Sequence, residues 1–181
     1  EGRKMFLEAP EDRMEAIYIE ETFLREAPEE IRTKLERLSG TVPNEVVNSE
    51  VFQKISDTKT PQVILCVVKQ FHYGMEKIAE THKSNSPLIM ILEDLQDPGN
   101  LGTIIRTAEG AGVSGVIMTG NTVDIYNPKT IRATMGSIYR VPFLITQNLG
   151  ATMKELQKKE ISIYAAHLKG TKYYDEMDYC K

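Results

Sequence analysis

The segment Leu88-Ile-Met-Ile-Leu-Glu-Asp-Leu-Gln-Asp-Pro-Gly-Asn100-Leu-Gly-Thr-Ile-Ile-Arg106-Thr-Ala-Glu-Gly-Ala-Gly112 concentrates the residue types that do chemistry. An arginine fork clamps a phosphate or an oxyanion, and an asparagine amide orients a hydroxyl. Locally the stretch reads as a strand, a turn at Asp97-Pro98-Gly99, and a helix from Asn100 to about Ala111. A purely structural reading makes Asn100 the N-cap, accepting from the Thr103 N–H. It pairs Arg106 with Glu109 one turn on and buries Ile104, Ile105 and Ala108. Position favours chemistry, because open α/β sheets place ligands at the carboxyl ends of their parallel strands.

A second glycine pattern, Gly110-Ala-Gly112-Val-Ser-Gly115, matches Gly-x-Gly-x-x-Gly literally. A dinucleotide site needs those glycines to leave a strand and open a helix. Here they close a helix and enter the strand Val116–Met118, so Gly110 and Gly112 are expected as a helix stop with close helix–sheet packing.

The elements that must position these residues follow from periodicity. Ala16–Ile19 and Val42–Val47 read as short strands, and Ile31, Leu35 and Leu38 mark a helix after Pro28. Asn48 and Ser49 cap a helix carrying Val51, Phe52 and Ile55. The continuous apolar run in Gln62–Val68 predicts a strand buried on both faces. Met75, Ile78 and Ala79 suggest a connecting helical turn. Strands at Leu88–Leu92, Val116–Met118, Val141–Ile145 and Ile161–Ala166 then alternate with helices near Thr130–Ser137 and Ala151–Lys159. Such alternation predicts an α/β domain with a mostly parallel sheet. Residues 1–68 form an expected first domain, 69–86 a linker ending in the polar run Lys83–Pro87, and 87–181 a second domain.

Composition sets the limits. The chain has 181 residues, 41% hydrophobic and 27% charged, the balance of a soluble globular protein rather than a disordered one. No apolar run approaches the ~20 residues of a membrane helix. Cys66 and Cys180 form no Cys-x-x-Cys pair, and His72, His82 and His167 share no ligand spacing, so no metal site is expected. The opening Glu1-Gly2-Arg3-Lys4 lacks a secretory core, which makes a cytoplasmic setting the default. The net charge of −4 divides into −5 over residues 1–68, +1 over 69–86 and zero over 87–181. A nucleic-acid partner would therefore need a local basic patch. Residues 100–146 supply one, with Arg106, Lys129, Arg132 and Arg140 against Glu109 and Asp124.

Asn100-Leu-Gly102-Thr-Ile-Ile-Arg106-Thr-Ala-x-Gly110 resembles the first signature motif of the SpoU-type (TrmH-like) RNA ribose 2′-O-methyltransferases of the SPOUT superfamily. Asn127-Pro-Lys-Thr-Ile-Arg132-Ala-Thr-Met-Gly136-Ser-Ile-Tyr-Arg-Val-Pro142 is similar to the segment after that motif. Residues 1–68 resemble the family's ribosomal-protein-like substrate-binding domain, with Glu1-Gly2 and Thr60-Pro61-Gln62 as landmarks. The resemblance implies S-adenosyl-L-methionine as cofactor, RNA as substrate (ribosomal rather than transfer RNA) and a homodimer. It places Asn100 and Arg106 in the catalytic site, and Arg106, Lys129 and Arg132 on RNA. Ala165, Ala166 and His167 stand at the start of the cofactor pocket. In the family a Gly-Asn-Glu-type and a Ser-Leu-Asn-type segment follow the last of these strands, and neither occurs in the sequence up to Lys181. The expectation is an incomplete SPOUT domain without its knot-forming segment, inactive and with negligible cofactor affinity as 181 residues alone.

A ribose hydroxyl is a weak acid, so its proton must be removed or its oxyanion stabilised. A guanidinium with a pKa above ~12 suits the second task, which makes Arg106 an electrostatic clamp and leaves the proton acceptor open. The alternative reading is a non-catalytic RNA-binding module with a degenerate methyltransferase half. A small-molecule enzyme using the glycine pattern ranks last.

Overall fold

The structure, a computed structural model, describes residues 1–79 and 86–177. In chain order it contains helix α1 (Arg3–Glu8), strand β1 (Met14–Glu20), helices α2 (Glu21–Glu26) and α3 (Glu29–Leu38), strand β2 (Asn44–Val47), helix α4 (Ser49–Ile55) and strand β3 (Ile64–Val68). Then come helix α5 (Met75–Ile78), strand β4 (Ile89–Leu92), helix α6 (Pro98–Gly110), strand β5 (Gly115–Thr119), helix α7 (Pro128–Thr134), strand β6 (Phe143–Thr146) and helix α8 (Leu149–Lys158). Among the described residues no helix is long and apolar enough to cross a membrane.

Two compact units emerge, neither contiguous in sequence. One comprises Glu1–Phe71, Asp97–Thr107 and Asp124–Arg140; the other takes in the described parts of His72–Gln96, Ala108–Val123 and the segment from Val141 onward. Within the expected linker 69–86, residues 80–85 lie outside the described residues.

The first unit is built on a three-stranded sheet ordered β2-β1-β3, with β1 parallel to β2 and antiparallel to β3. Ile17 and Ile19 of the central strand are buried with Phe6, Phe23, Ile31, Leu38 and Ile64. Each such side chain contributes about 1.5–3 kcal/mol on leaving water. The apolar run of β3 predicted burial on both faces, and here the structure differs. That strand is an edge paired only to β1, and Val67 stays 41% exposed. Glu1 and Gln62, expected as landmarks at opposite ends of this unit's sequence, meet directly. The Glu1 carboxylate accepts from the Gln62 N–H at 2.7 Å and the Ser56 hydroxyl at 2.8 Å. Lys34 is buried, donating to the carbonyls of Leu7 and Ala9 at 2.8 and 2.7 Å, and its ammonium lies 5.3 Å from the Phe6 ring centre.

Glu20 ends β1 and caps α2. Its carboxylate accepts from the Phe23 N–H at 2.8 Å, from Thr22, and from the Ser49 hydroxyl that opens α4 at 2.6 Å. Burial pushes its pKa up, but the hydroxyls of Ser49 and Thr22 and the amide of Phe23 outweigh this and hold it at about 2.

Helices α6 and α7 touch within the first unit at Gly102. A Cβ there would stand 2.5 Å from the Ala133 Cβ and 2.6 Å from the Thr130 carbonyl oxygen, so only glycine admits this approach.

The second unit holds a parallel sheet ordered β4-β5-β6. Its central strand is buried from Gly115 to Met118. The expected fourth strand, Ile161–Ala166, is absent. Ile161 and Ile163 pack half-buried on the cluster of Ile78, Ile117 and Leu156, while Ser162 and Tyr164 face solvent. The segment has no ladder to β4, and a groove of about 730 Å³ is lined by residues of both, among them Leu88, Ile89, Ile91, Ile161 and Ile163. The glycine pattern behaves as a helix stop: α6 ends at Gly110, and Gly112 takes φ +69°. Close packing falls instead to Gly115, where a Cβ would meet Ile78 Cδ1 at 2.6 Å.

Gly102→Ala should lower stability by about 1–3 kcal/mol through overpacking, while Gly110→Ala, facing open space, should be neutral or stabilising. Equal denaturation midpoints for the two variants would contradict this. The Glu20 carboxylate, with its pKa below the ordinary value of 4.5, stabilises the fold fully above that value, and the gain vanishes as the pH falls through about 2. Glu20→Gln should therefore cost about 1–2 kcal/mol at neutral pH, the difference from wild type shrinking below about pH 5. Urea titrations across that range provide the check.

Candidate functional site

In the second unit β4 delivers the chain into a turn at Glu93-Asp94-Leu95-Gln96. Asp94 adopts φ +51°, a conformation that costs a non-glycine residue about 1 kcal/mol or more. The end of β5 holds it there. The Thr119 hydroxyl donates to the Asp94 carboxylate at 2.7 Å and accepts from the Asp94 N–H at 2.8 Å. Gln96 Nε2 donates to the carbonyls of Asp94 and Asn121 at 3.0 and 2.8 Å, and the Val123 N–H reaches the Leu95 carbonyl at 2.8 Å.

In the first unit helix α6 begins at Pro98, two residues earlier than expected. Proline suits the first helical position, since its fixed φ is already helical and the N–H it lacks would have no partner. The cap is Asp97, whose Oδ1 accepts from the Asn100 N–H at 2.6 Å while its carbonyl accepts from the Leu101 N–H at 3.0 Å. This corrects the expectation that Asn100 caps the helix. Asn100 is the third helical residue, exposed, and its side-chain amide makes no hydrogen bond among the described residues. Of the expected buried face, Ile105 and Ala108 are buried, Ile104 only partly, and Leu101 is buried as well.

Arg106 is exposed on α6, and its guanidinium forms neither the expected pair with Glu109 nor any hydrogen bond among the described residues. The hydroxyls of Thr103 and Thr107 turn back onto the carbonyls of Gly99 and Thr103, both at 2.9 Å, so they do not compete for a ligand. On α7, Asn127 caps the helix by accepting from the Lys129 N–H at 2.9 Å. The Lys129 ammonium stands 3.8 Å from the second oxygen of Asp97. Arg132, in the last turn of α7, is half-buried, and its guanidinium has no ion pair or hydrogen bond among the described residues. Asn100, Arg106, Lys129 and Arg132 thus share two helices of one unit, with the Asp97 carboxylate facing Lys129. Asp immediately before Pro at a helix start is the sequence signal for this cap.

Ala165, Ala166 and His167 lie in the other unit, all exposed and outside any strand. His167 Nδ1 accepts from the Lys169 N–H at 3.0 Å, and its carbonyl accepts from the Gly170 N–H at 2.8 Å, forming a tight turn. Among the described residues no group of three or more His, Cys, Asp or Glu could hold a metal ion.

Residues 87–181 match the SpoU rRNA Methylase family, and residues 1–74 match the domain described as RNA 2′-O ribose methyltransferase substrate binding. The chain is 33% identical over 132 residues to the Bacillus subtilis 23S rRNA (guanosine(2553)-2′-O)-methyltransferase RlmP, covering 73% of this chain and 50% of that protein. Over 99 residues it is 41% identical to human mitochondrial rRNA methyltransferase 3, covering 54% of this chain and 24% of that protein. It therefore spans half the length of the first relative and about a quarter of the second. Among solved structures, the AdoMet-bound rRNA methyltransferase from Sinorhizobium meliloti superposes with a TM-score of 0.70 at 28% identity, covering 93% of this chain and 60% of that one. The SpoU methyltransferase AviRb from Streptomyces viridochromogenes shares the fold, with a TM-score of 0.71 at 21% identity over 87% of this chain and 58% of that one. With more than half of its length matched by the methylase model and most of the remainder by the companion substrate-binding model, the chain belongs to the SpoU rRNA methylase family.

Proposed function

We propose that the protein transfers a methyl group from S-adenosyl-L-methionine to a ribose 2′-hydroxyl of RNA, with ribosomal RNA as the substrate class. The observation that carries this reading is the exposed side of α6. Asp97 does the capping, so the Asn100 amide and the Arg106 guanidinium are both left for a ligand. The rRNA methyltransferases among the relatives support the substrate class.

Each residue has a physical task. The guanidinium of Arg106 offers donors and no acceptor, so it stabilises the developing ribose oxyanion and the adjacent phosphate rather than accepting a proton. Asn100 offers both a donor and an acceptor to orient the ribose hydroxyl. Lys129 and Arg132 take backbone phosphates, which position the RNA without reading its sequence. Ala165, Ala166 and His167 form one edge of the cofactor site. The two alanines carry only methyl groups and their backbone makes no hydrogen bond among the described residues, which suits an adenosyl group read by main-chain contacts. When bound, S-adenosyl-L-methionine supplies the electrophilic methyl of a sulfonium.

In the same reading residues 1–68 bind substrate, 69–86 link and 87–181 catalyse, a division supported by the spans of the two family models. A homodimer, as is typical of the SPOUT superfamily, and a cytoplasmic setting complete it.

In the full-length protein, Arg106→Ala should reduce radiolabelled methyl incorporation into ribosomal RNA by roughly 100-fold or more, the scale set by losing one oxyanion-stabilising group. Calorimetric affinity for S-adenosyl-L-methionine should stay within about twofold, because Arg106 acts on the RNA side. Resistance of the product linkage to alkaline hydrolysis identifies a methylated ribose. Normal methylation by Arg106→Ala, or a hydrolysable product linkage, would overturn the assignment.

A further inference from the structure

Lys129 occupies a place where a cation is electrostatically disfavoured. Its side chain lies over Gly99 in the first turn of α6, with Cε 3.6 Å from where a Gly99 Cβ would stand. The N-terminus of a helix carries roughly half a positive charge, so an ammonium there is repelled. The pull that offsets this comes from Asp97. One of its oxygens caps α6 through the Asn100 N–H at 2.6 Å, and the other faces the Lys129 Nζ at 3.8 Å. Gly99 completes the arrangement, because a Cβ there would also crowd the capping oxygen at 3.1 Å.

This ion pair does little for stability. Its side chains are 49% and 62% exposed, and pairs in that setting are screened to between zero and about 1 kcal/mol. What the pair biases is direction: it draws the long, flexible Lys129 side chain over Gly99, one residue before Asn100 in the helix. We propose that Asp97 is a positioning residue of the transfer site, holding the Lys129 ammonium where an RNA phosphate reaches it as the ribose meets Asn100. The inference rests on the ribose-methylation reading above. It carries an unusual consequence, since the Asp97 charge repels the same phosphate that Lys129 attracts. Asp97 thus costs RNA affinity while improving alignment.

Asp97→Asn is the informative variant, because asparagine caps helices as well as aspartate does and only the charge is lost. In the full-length protein it should lower kcat about three- to fivefold, the most a solvent-screened pair can supply, with KM for RNA unchanged or reduced, and leave the melting temperature in place. Lys129→Met should raise KM and reduce the salt dependence of binding to a ribosomal RNA hairpin by about one phosphate contact. In the Lys129→Met background, Asp97→Asn should change kcat by less than twofold, since the residue it positions is gone. Independent, multiplicative effects of the two substitutions, an unchanged kcat in Asp97→Asn, or a raised KM with a lowered melting temperature would each overturn the proposal. Hairpin binding keeps the two readings distinguishable. If wild type methylates no ribose, the function fails, yet Asp97→Asn must still change hairpin affinity by a different factor in the Lys129→Met background than in wild type, and equal factors overturn the positioning.

Discussion

The hydrogen bond from the Asn100 backbone N–H to the Asp97 carboxylate, 2.6 Å long, sets the start of α6 and with it the freedom of the polar side chains along that helix. The first turn of a helix has four unsatisfied donors, and whichever side chain serves them is spent on structure. With Asp97 in that role, the amide of Asn100 is left over. Pro98 supports the choice, being pre-set for the first helical position and unable to donate. Four residues, Asp97-Pro98-Gly99-Asn100, thereby divide into a cap, a stiff start, a clearance for the Lys129 stem and a free amide.

That helix is useful only if a second one lies against it, and there a missing side chain decides. Gly102 lets the backbone of α6 approach Thr130 and Ala133 of α7 closely, so the cations of both helices belong to a single unit. In the other unit a comparable constraint acts at the carboxyl end of the sheet. The Thr119 hydroxyl serves both the N–H and the carboxylate of Asp94, which keeps that residue in a left-handed conformation and fixes how the chain leaves β4. Neither device adds much apolar burial. Both act by leaving one local geometry open.

By itself the sequence determined most of the elements and the family. The periodicity of Ile31, Leu35 and Leu38 gives α3, and the apolar runs at Leu88–Leu92 and Val116–Met118 give adjacent parallel strands. The glycines from Gly110 to Gly115 end a helix rather than cradle a phosphate, and the motif from Asn100 to Arg106 marks the family. These are local properties, set by side-chain period, turn chemistry and residue type. Tertiary structure decided what depends on partners distant in sequence. An apolar strand is central or an edge according to what pairs with it, which is why β3 exposes Val67 and why Ile161–Ala166, lacking a ladder, is not a strand. Asparagine and aspartate compete equally well for a helix cap, so only the realised start of α6 showed Asp97 to be the cap and Asn100 to be free. The close approach at Gly102 and the reach of Lys129 back to Asp97 join residues about thirty positions apart, and no local pattern encodes a distance of that kind.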